Sequence, residues 1–358
     1  MSRGTQAVIN FSHLLHNYKQ LKKRAPNKLV LVVKADAYGH GLKQTVKALG
    51  EVDCFAVATL AEALLIRKHR PNVRILLLEG FLDANELHIS LANHFDCVIH
   101  QTPQLELFLQ LNTTKKINIW LKYDSGMNRL GFDDDGFEHA FHAIEKHKNL
   151  GELVLMSHFA SANESNNDFT TTQKQRFLKH AKHYPLSLSN SAALLNQNNL
   201  NDEWCRVGLA LFGVSPFVDK TAKELGLKPV MSLKTNVIAV KNIKAGQSIG
   251  YGQTYISPKD KKIAIIGLGY GDGYPWALSQ NAHVKIKNHK AKILGRISMD
   301  MMAIDISSIA DVSLGDAVLM WGESKQGQLP VEIVAQNAQT IAYVLLCQVT
   351  SRVSYKYE

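Results

Sequence analysis

The chain has 358 residues, more than one compact domain usually holds; a barrel of eight strand–helix repeats would absorb roughly 250 of them, so two domains are expected. Hydrophobic residues make up 46% and charged residues 20%, which excludes a disordered chain and supplies ample material for a core. The formal charge of +10 invites a nucleic-acid reading, but the basic residues are scattered singly and in pairs, without a strip of interleaved aromatics, and a basic surface that favours anionic ligands accounts for them.

The opening stretch, MSRGTQAVINFSHLLHNYKQLKK, interrupts its apolar residues with Asn10, Ser12, His13, His16 and Asn17, so it lacks the unbroken core of a signal peptide. No later run reaches membrane-spanning length. Short β-rich runs then alternate with amphipathic stretches. The runs are Val30 to Lys34, Cys54 to Ala58, Arg74 to Leu78, Asp96 to His100, Ile117 to Tyr123, Leu153 to His158, Leu186 to Ser189 and Trp204 to Val207. Between them Leu60 to His69, Asp83 to Asn93, Pro103 to Leu111, Gly136 to Lys148 and Gln173 to His183 read as helices. Eight strands separated by helices predict a (β/α)8 barrel of the TIM type over residues 1–226. An open doubly wound sheet would carry a GxGxxG turn after its first strand, and none is there.

Beyond Leu227 the texture changes to β-branched runs with close glycine turns: Val230 to Val240, Lys262 to Leu268, His283 to Ile286, Ala291 to Leu294, Met301 to Ile306 and Ala317 to Trp321. One helix-like stretch, Val331 to Gln339, interrupts them, and Ile341 to Val353 closes the chain. A mostly antiparallel β domain over residues 227–358 is predicted. Cys54, Cys97, Cys205 and Cys347 lie far apart with no CxxC pair, so neither a metal site nor a disulfide framework is expected and a reducing cytoplasm fits.

In such a barrel the chemistry sits where the strands end. The first strand ends on Lys34, followed by Ala35-Asp36-Ala37-Tyr38-Gly39-His40-Gly41. A lysine leaving a buried strand for solvent is the plain account of that residue; a lysine held in a cleft can also form a Schiff base with an aldehyde, the chemistry of pyridoxal phosphate. The sixth strand ends on His158, the loop after the fifth holds Met127-Asn128-Arg129-Leu130-Gly131, the seventh runs into Asn190-Ser191, and the eighth ends in Arg206-Val207-Gly208-Leu209. Asn190, Ser191, Gly208 and Leu209 belong to the two loops that commonly hold phosphate in these barrels, and Tyr38 could add a phenolic donor. Singly, Ser191 also reads as a helix cap at Ala192 and Gly208 as a turn residue. Together with the strand-end lysine, a phosphate-bearing aldehyde is the economical explanation.

The segments VVKADAYGHG, MNRLG, SHFA, SNSAA, RVG, GYGDGYP and GRISMD, in this order, resemble the alanine racemases, a family of fold-type III pyridoxal-phosphate enzymes, and the resemblance runs over nearly the whole chain. It implies pyridoxal 5'-phosphate on Lys34, with Tyr38, His158, Asn190, Ser191, Arg206, Gly208, Leu209 and Tyr343 around it. Lys34 would serve as base on one face of the substrate's alpha carbon. Tyr270, supplied by the second subunit of a homodimer, would serve on the other. A phenol titrates near pH 10, so as a base at neutrality it needs cationic or hydrogen-bonding help, which His158 and Arg206 are suited to give. Arg129 and the Met299 backbone N–H would meet the substrate carboxylate, Asp300 would orient the Met299 loop, and Lys122 matches a lysine that in relatives is often carbamylated and positions the arginine. Arg206 would face the pyridine nitrogen, which a guanidinium does not readily protonate.

Two departures stand out: Trp276 where relatives commonly carry arginine, and Asn163 where SHFA is commonly followed by aspartate. A decarboxylase of the same fold would need an unpaired alpha-carboxylate and a cysteine motif in its other domain, and a non-catalytic carrier of the cofactor would lack Tyr270 and Met299. A broad-specificity racemase differs mainly in the room above the alpha carbon. The reading is a cytoplasmic, homodimeric alanine racemase that binds neither nucleic acid nor membrane and supplies D-alanine for peptidoglycan.

Overall fold

A computed structural model describes residues 3–164, 167–181, 183–196 and 202–358. Its strands are β1 (Gln6–Ile9), β2 (Lys28–Val32), β3 (Cys54–Val57), β4 (Ile75–Leu77), β5 (Asp96–Ile99), β6 (Ile117–Lys122), β7 (Leu150–Met156), β8 (Leu186–Ser187), β9 (Trp204–Val207) and β10 (Met231–Ile243). There follow β11 (Ser248–Ile249), β12 (Tyr255–Ile256), β13 (Lys261–Ile266), β14 (His283–Ile286), β15 (His289–Leu294), β16 (Met302–Asp305), β17 (Ala317–Ser324), β18 (Gly327–Leu329) and β19 (Ser354–Tyr357). They form two compact units, one of residues Leu15–Leu211 with Ser215–Leu227, the other of Met1–Leu14, Phe212–Val214 and Lys228–Glu358.

In the first unit β2 to β9 make one parallel sheet in the order β8-β7-β6-β5-β4-β3-β2-β9. These are the eight runs read from the sequence, and nearly every residue in them is buried, as a sheet covered on one side by helices and on the other by its own interior requires. The seam between β8 and β9 is closed by the Arg206 N–H to the Ser189 carbonyl (2.9 Å) and the Ser187 hydroxyl to the Trp204 carbonyl (2.7 Å). The buried Asp202 carboxylate adds two acceptor contacts there, from the backbone N–H of Leu188 (3.0 Å) and Ser189 (2.6 Å).

Several of the helices that follow strands begin with side-chain caps. Thr59 and Glu62 exchange a capping box at helix Leu60–His69, Asp83 accepts from the Glu86 N–H (2.8 Å), and Asp133 accepts from the Gly136 N–H (2.9 Å). Each strand-to-helix turn is thereby held in place at the end of the barrel where loops carry chemistry.

In the second unit β10, β13, β16, β15, β14 and β17 pair antiparallel in a ring that β17 closes back onto β10, with a register shift in β10 between Val237 and Ala239. Closure removes the exposed edges an open sheet would leave. β1 lies beside β10, Ile9 opposite Met231, and takes β19 in parallel on its other side, Ile9 opposite Tyr357. The sequence division at 226/227 leaves the first fourteen residues with the barrel; the backbone pairing of Gln6–Ile9 ties them into the β unit instead. A four-residue strand whose partners lie more than two hundred residues away carries no local mark of them.

Ile9 is fully buried between those neighbours. Ile9→Ala should lower the unfolding free energy by about 2–5 kcal/mol. A urea titration reads this, and an unmoved midpoint would show that β1 does not belong to the core of the unit.

Candidate active site

β2 ends at Val32, and Lys34 follows two residues later, half-buried, where the chain enters an uncommon turn. Ala35, Asp36, Ala37 and Tyr38 all have φ near +53° and ψ near +47°, a full left-handed turn built without glycine. For L-residues this conformation costs roughly 1–2 kcal/mol each, and such strain persists only where the surroundings hold it. Here they do. The Ala37 N–H reaches the Val33 carbonyl (2.9 Å), the Gly41 N–H the Asp36 carbonyl (3.0 Å), and Asp36 Oδ1 accepts from the Leu42 N–H (2.6 Å). His40 Nδ1–H donates to the carbonyls of Ala37 (3.0 Å) and Tyr38 (2.9 Å), so this buried ring fastens the turn from within.

Next to β2 in the sheet, β9 carries Arg206, 3% exposed and opposite Val30. Its Nη1 donates to the Ser187 carbonyl (2.8 Å) and hydroxyl (2.6 Å), and its Nη2 to the carbonyls of Ser157 (2.7 Å) and Leu188 (3.3 Å) and to His158 Nδ1 (3.1 Å). A guanidinium only donates, so His158 Nδ1 accepts and the imidazole keeps its proton on Nε2. Burial and the charges of Arg206, Lys122, Arg129 and Lys34 push the His158 pKa well below its ordinary value, in agreement with a neutral ring. The same crowding acts on buried Lys122 at the end of β6: desolvation first, then Arg206, Arg129 and Lys34, outweigh Asp124 and bring it from 10.5 to about 8.

Arg129 stands exposed on the loop that leaves β6. That loop is pinched shut by the Phe132 N–H to the Lys122 carbonyl and the Asp124 N–H to the Phe132 carbonyl, both 2.9 Å, while Asp124 Oδ1 accepts from the N–H groups of Gly126 (2.9 Å) and Asn128 (3.1 Å). The helix Ser191–Leu195 is capped by Asn190, whose Oδ1 accepts from the Ala193 N–H (3.0 Å). The cap that the sequence offered to Ser191 therefore falls to its neighbour. Ser191 Oγ instead accepts from the Gly208 N–H (3.0 Å), joining the two expected phosphate loops. A Cβ on Gly208 would lie 2.3 Å from the Tyr38 hydroxyl, so glycine here is what lets the phenol lie over the loop. Leu209 opens the short 3-10 helix Leu209–Phe212.

The β unit gathers the remaining residues. Tyr270, 41% exposed, sits in the turn Tyr270–Asp272 against the Met299–Asp300 loop: its N–H reaches the Ser298 carbonyl (3.2 Å) and the Gly271 N–H the Met299 carbonyl (2.9 Å). Gly269 passes so close that a Cβ would be 2.2 Å from the Ser298 carbonyl oxygen. Met299 is half exposed, and Tyr343 lies on helix Ala342–Cys347 of the same unit. The exposed Trp276 ring stacks under the Arg296 guanidinium, 5.7 Å from its centroid.

Lys34, Tyr38, Lys122, Arg129, His158, Asn190, Ser191, Arg206, Gly208 and Leu209 thus gather on the barrel unit, and Tyr270, Met299, Asp300 and Tyr343 on the β unit. Sequence reading passed over His40, Asp124 and Asp272; each lies in or within a few residues of a motif already singled out, but its role is a hydrogen bond that spacing does not show. Four cations around a neutral imidazole, one of them the Lys34 amine at the mouth, beside a hydroxyl-and-amide cradle, can bind an anionic carbonyl compound and move protons near it.

Comparison with known proteins agrees with this chemistry. The family described as "Alanine racemase, N-terminal domain" matches residues 9–216, and "Alanine racemase, C-terminal domain" matches residues 230–357. An alanine racemase of Vibrio vulnificus is 41% identical over 359 aligned positions, 99% of each chain, and the biosynthetic alanine racemase of Escherichia coli is 39% identical with 99% of each chain covered. The crystal structure of the biosynthetic alanine racemase from Pseudomonas aeruginosa superposes with a TM-score of 0.96 at 39% identity over the full length of both chains.

His40, buried and brought from 6.5 to about 4 chiefly by desolvation, makes this site sensitive to acid. The unfolded chain binds the proton first, so stability present above pH 6.5 is lost as pH falls toward 4, by roughly 3 kcal/mol from this one ring. Urea midpoints measured across that range should fall, and fall less in His40→Asn, which keeps a donor and cannot titrate; equal slopes would remove His40 as the cause.

Proposed function

The chain belongs to the alanine racemase family, and from that premise we propose how its own residues interconvert L- and D-alanine. The family identity implies pyridoxal 5'-phosphate. The observation that carries the reading is the convergence of Lys34, Lys122, Arg129 and Arg206 on His158 at one end of the barrel, a positive site built for a ligand with a phosphate and a carboxylate.

The cradle fits that cofactor. Ser191, the Gly208–Leu209 backbone and Tyr38 would hold the phosphate, with Tyr343 contributing from the β unit and Asn190 shaping the loop through its cap. Arg206 Nε, which donates to no group among the described residues, is the N–H left for the ring nitrogen, and it can hold that nitrogen without protonating it. When bound, the cofactor supplies an aldehyde that condenses with amines and a ring that withdraws electrons from the alpha carbon.

Lys34 Nζ would be the amine that holds the cofactor, and its position at the barrel mouth would let it take or return the alpha proton on its own face. Arg129 and the Met299 N–H orient the substrate carboxylate, with Asp300 steadying the Met299 loop. Tyr270 handles the proton on the opposite face, and the His158 Nε2–H, fixed by Arg206, is the donor available to its oxygen. Tyr270 and Met299 are supplied by the second copy in a homodimer. From the family identity, the enzyme is further proposed to work in the cytoplasm and to supply D-alanine for peptidoglycan.

Two variants test the scheme together. Lys34→Ala should lose the covalently held cofactor and its colour, whereas Tyr270→Phe should keep the colour but slow exchange of the alpha hydrogen in deuterated water from one enantiomer of alanine. Each alone racemises poorly; mixed and reassembled, the two inactive chains should recover part of the activity, because one site of each mixed dimer contains both native residues. Recovery absent while mixed dimers form would place both bases within one chain.

Lys122 gives a second test. With a pKa of about 8 and two arginines beside it, its neutral amine is available to carbon dioxide, and the resulting anionic carbamate would relieve the local positive charge. Protein equilibrated with carbon-13 bicarbonate should show a carbamate resonance that Lys122→Ala lacks; an identical spectrum for both would exclude the modification.

A further inference from the structure

Asp272 is 1% exposed and lies in the turn that presents Tyr270. Its Oδ2 accepts from the Gly269 N–H (3.0 Å) and from Arg3 Nη2 (2.5 Å), and its Oδ1 faces Arg352 Nε at 3.5 Å. Both arginines go on to the neighbouring loop. Arg3 Nη2 donates to the Asp300 carbonyl (3.1 Å), Arg3 Nη1 stands 3.6 Å from Asp300 Oδ1, and Arg352 Nη2 pairs with that same oxygen. Arg3 Nε also holds the Gly267 carbonyl (3.1 Å), at the end of β13 from which the Tyr270 turn springs. Two arginines from opposite ends of the chain, one just before β1 and one just before β19, thus bridge two carboxylates in a closed set of balanced charge.

That set ties the Tyr270 turn to the Met299–Asp300 loop. The Thr350 hydroxyl and N–H donate to the carbonyls of Gly271 (3.0 Å) and Asp272 (3.2 Å) and Gln348 Nε2 to the Gly273 carbonyl (2.8 Å), which binds the same turn to the segment before β19; between the two loops themselves the charges reinforce two backbone bonds, Tyr270 N–H to Ser298 and Gly271 N–H to Met299. We propose that Asp272, through Arg3 and Arg352, is the positioning residue that fixes Tyr270 relative to the Met299 N–H. The inference rests on the role given to Tyr270 above. Neutralising this buried carboxylate leaves two guanidinium groups to share the single charge of Asp300, so the Tyr270 turn loosens against the Met299 loop when that charge is removed. The structure around Lys34 lies in the other unit and is untouched by that change.

The test uses holoenzyme and exchange of the alpha hydrogen in deuterated water, followed separately from L- and D-alanine, with Tyr270→Phe as reference. Asp272→Asn, which keeps an acceptor for the Gly269 N–H and removes the charge, should slow exchange from the enantiomer that Tyr270→Phe affects by about ten- to a hundredfold. Exchange from the other enantiomer and the absorbance of the bound cofactor should stay as in the parent. Arg352→Gln and Arg3→Gln should each show the same one-sided loss in smaller degree, and they decide the matter if Asp272→Asn does not fold. Should Tyr270→Phe be one-sided while the Asp272 and arginine variants slow both directions equally or neither, the positioning role is overturned. Should Tyr270→Phe itself leave both directions unchanged, the acid/base role of Tyr270 falls, and this inference with it.

Discussion

The barrel mouth depends on keeping four cations together, two of them, Lys122 and Arg206, buried. Lys34, Lys122, Arg129 and Arg206 repel one another, and only the fold keeps them there. Arg206 is the most heavily fastened, by three carbonyls, a hydroxyl and an imidazole nitrogen. It keeps its charge although burial brings its pKa to about 10. The flexible, titratable neighbours give way: Lys122 drops to about 8 and His158 far lower. A doubly charged phosphate and a carboxylate entering this site replace mutual repulsion by attraction, so affinity for an anionic ligand is prepared before the ligand arrives.

The second constraint is the left-handed turn after β2. Four L-residues in that conformation would not form it alone, and its stability comes from His40, Asp36 and the burial of Ala37 and Tyr38. The turn reverses the chain just past Lys34 and brings the Tyr38 ring over Gly208, far away in sequence yet adjacent because β2 pairs with β9. Strain near Lys34 and the missing Cβ of Gly208 are therefore one arrangement: a side chain at 208 would push out the phenol that the turn delivers.

The barrel was readable from sequence because its eight strands are short, apolar and evenly separated by helices, and each was located within a few residues. The ring of the β unit was readable as texture but not as topology. Nothing in Met231–Ile243 announces that one strand pairs with β13 along one half and with β1 and β17 along the other. Lys34, His158 and Arg206 stand out as candidates because strand ends are where barrels place chemistry, and Arg129 because it lies on the loop after β6. His40 and Asp272 could not: their work is done by burial and by partners such as Arg3 and Arg352, which no spacing connects. The positive φ at Ala35 and Ala37 was equally hidden, since alanine locally favours a right-handed helix.

The contact between Arg206 and His158 decides which way protons can travel. A carboxylate at position 206 would accept from His158 Nδ1–H, leaving Nε2 as an acceptor and raising the ring's affinity for a second proton. The guanidinium imposes the opposite: Nδ1 accepts, Nε2 carries the hydrogen, and the surrounding cations keep the ring from becoming an imidazolium. His158 can then stabilise a phenolate through a hydrogen bond but has no tendency to protonate it outright. The same guanidinium could not pass a proton to a ring nitrogen held at its Nε. In the proposed mechanism Arg206 would therefore limit proton exchange at two points at once and leave Lys34 and Tyr270 as the groups to move one, as a reaction that only inverts a carbon centre requires.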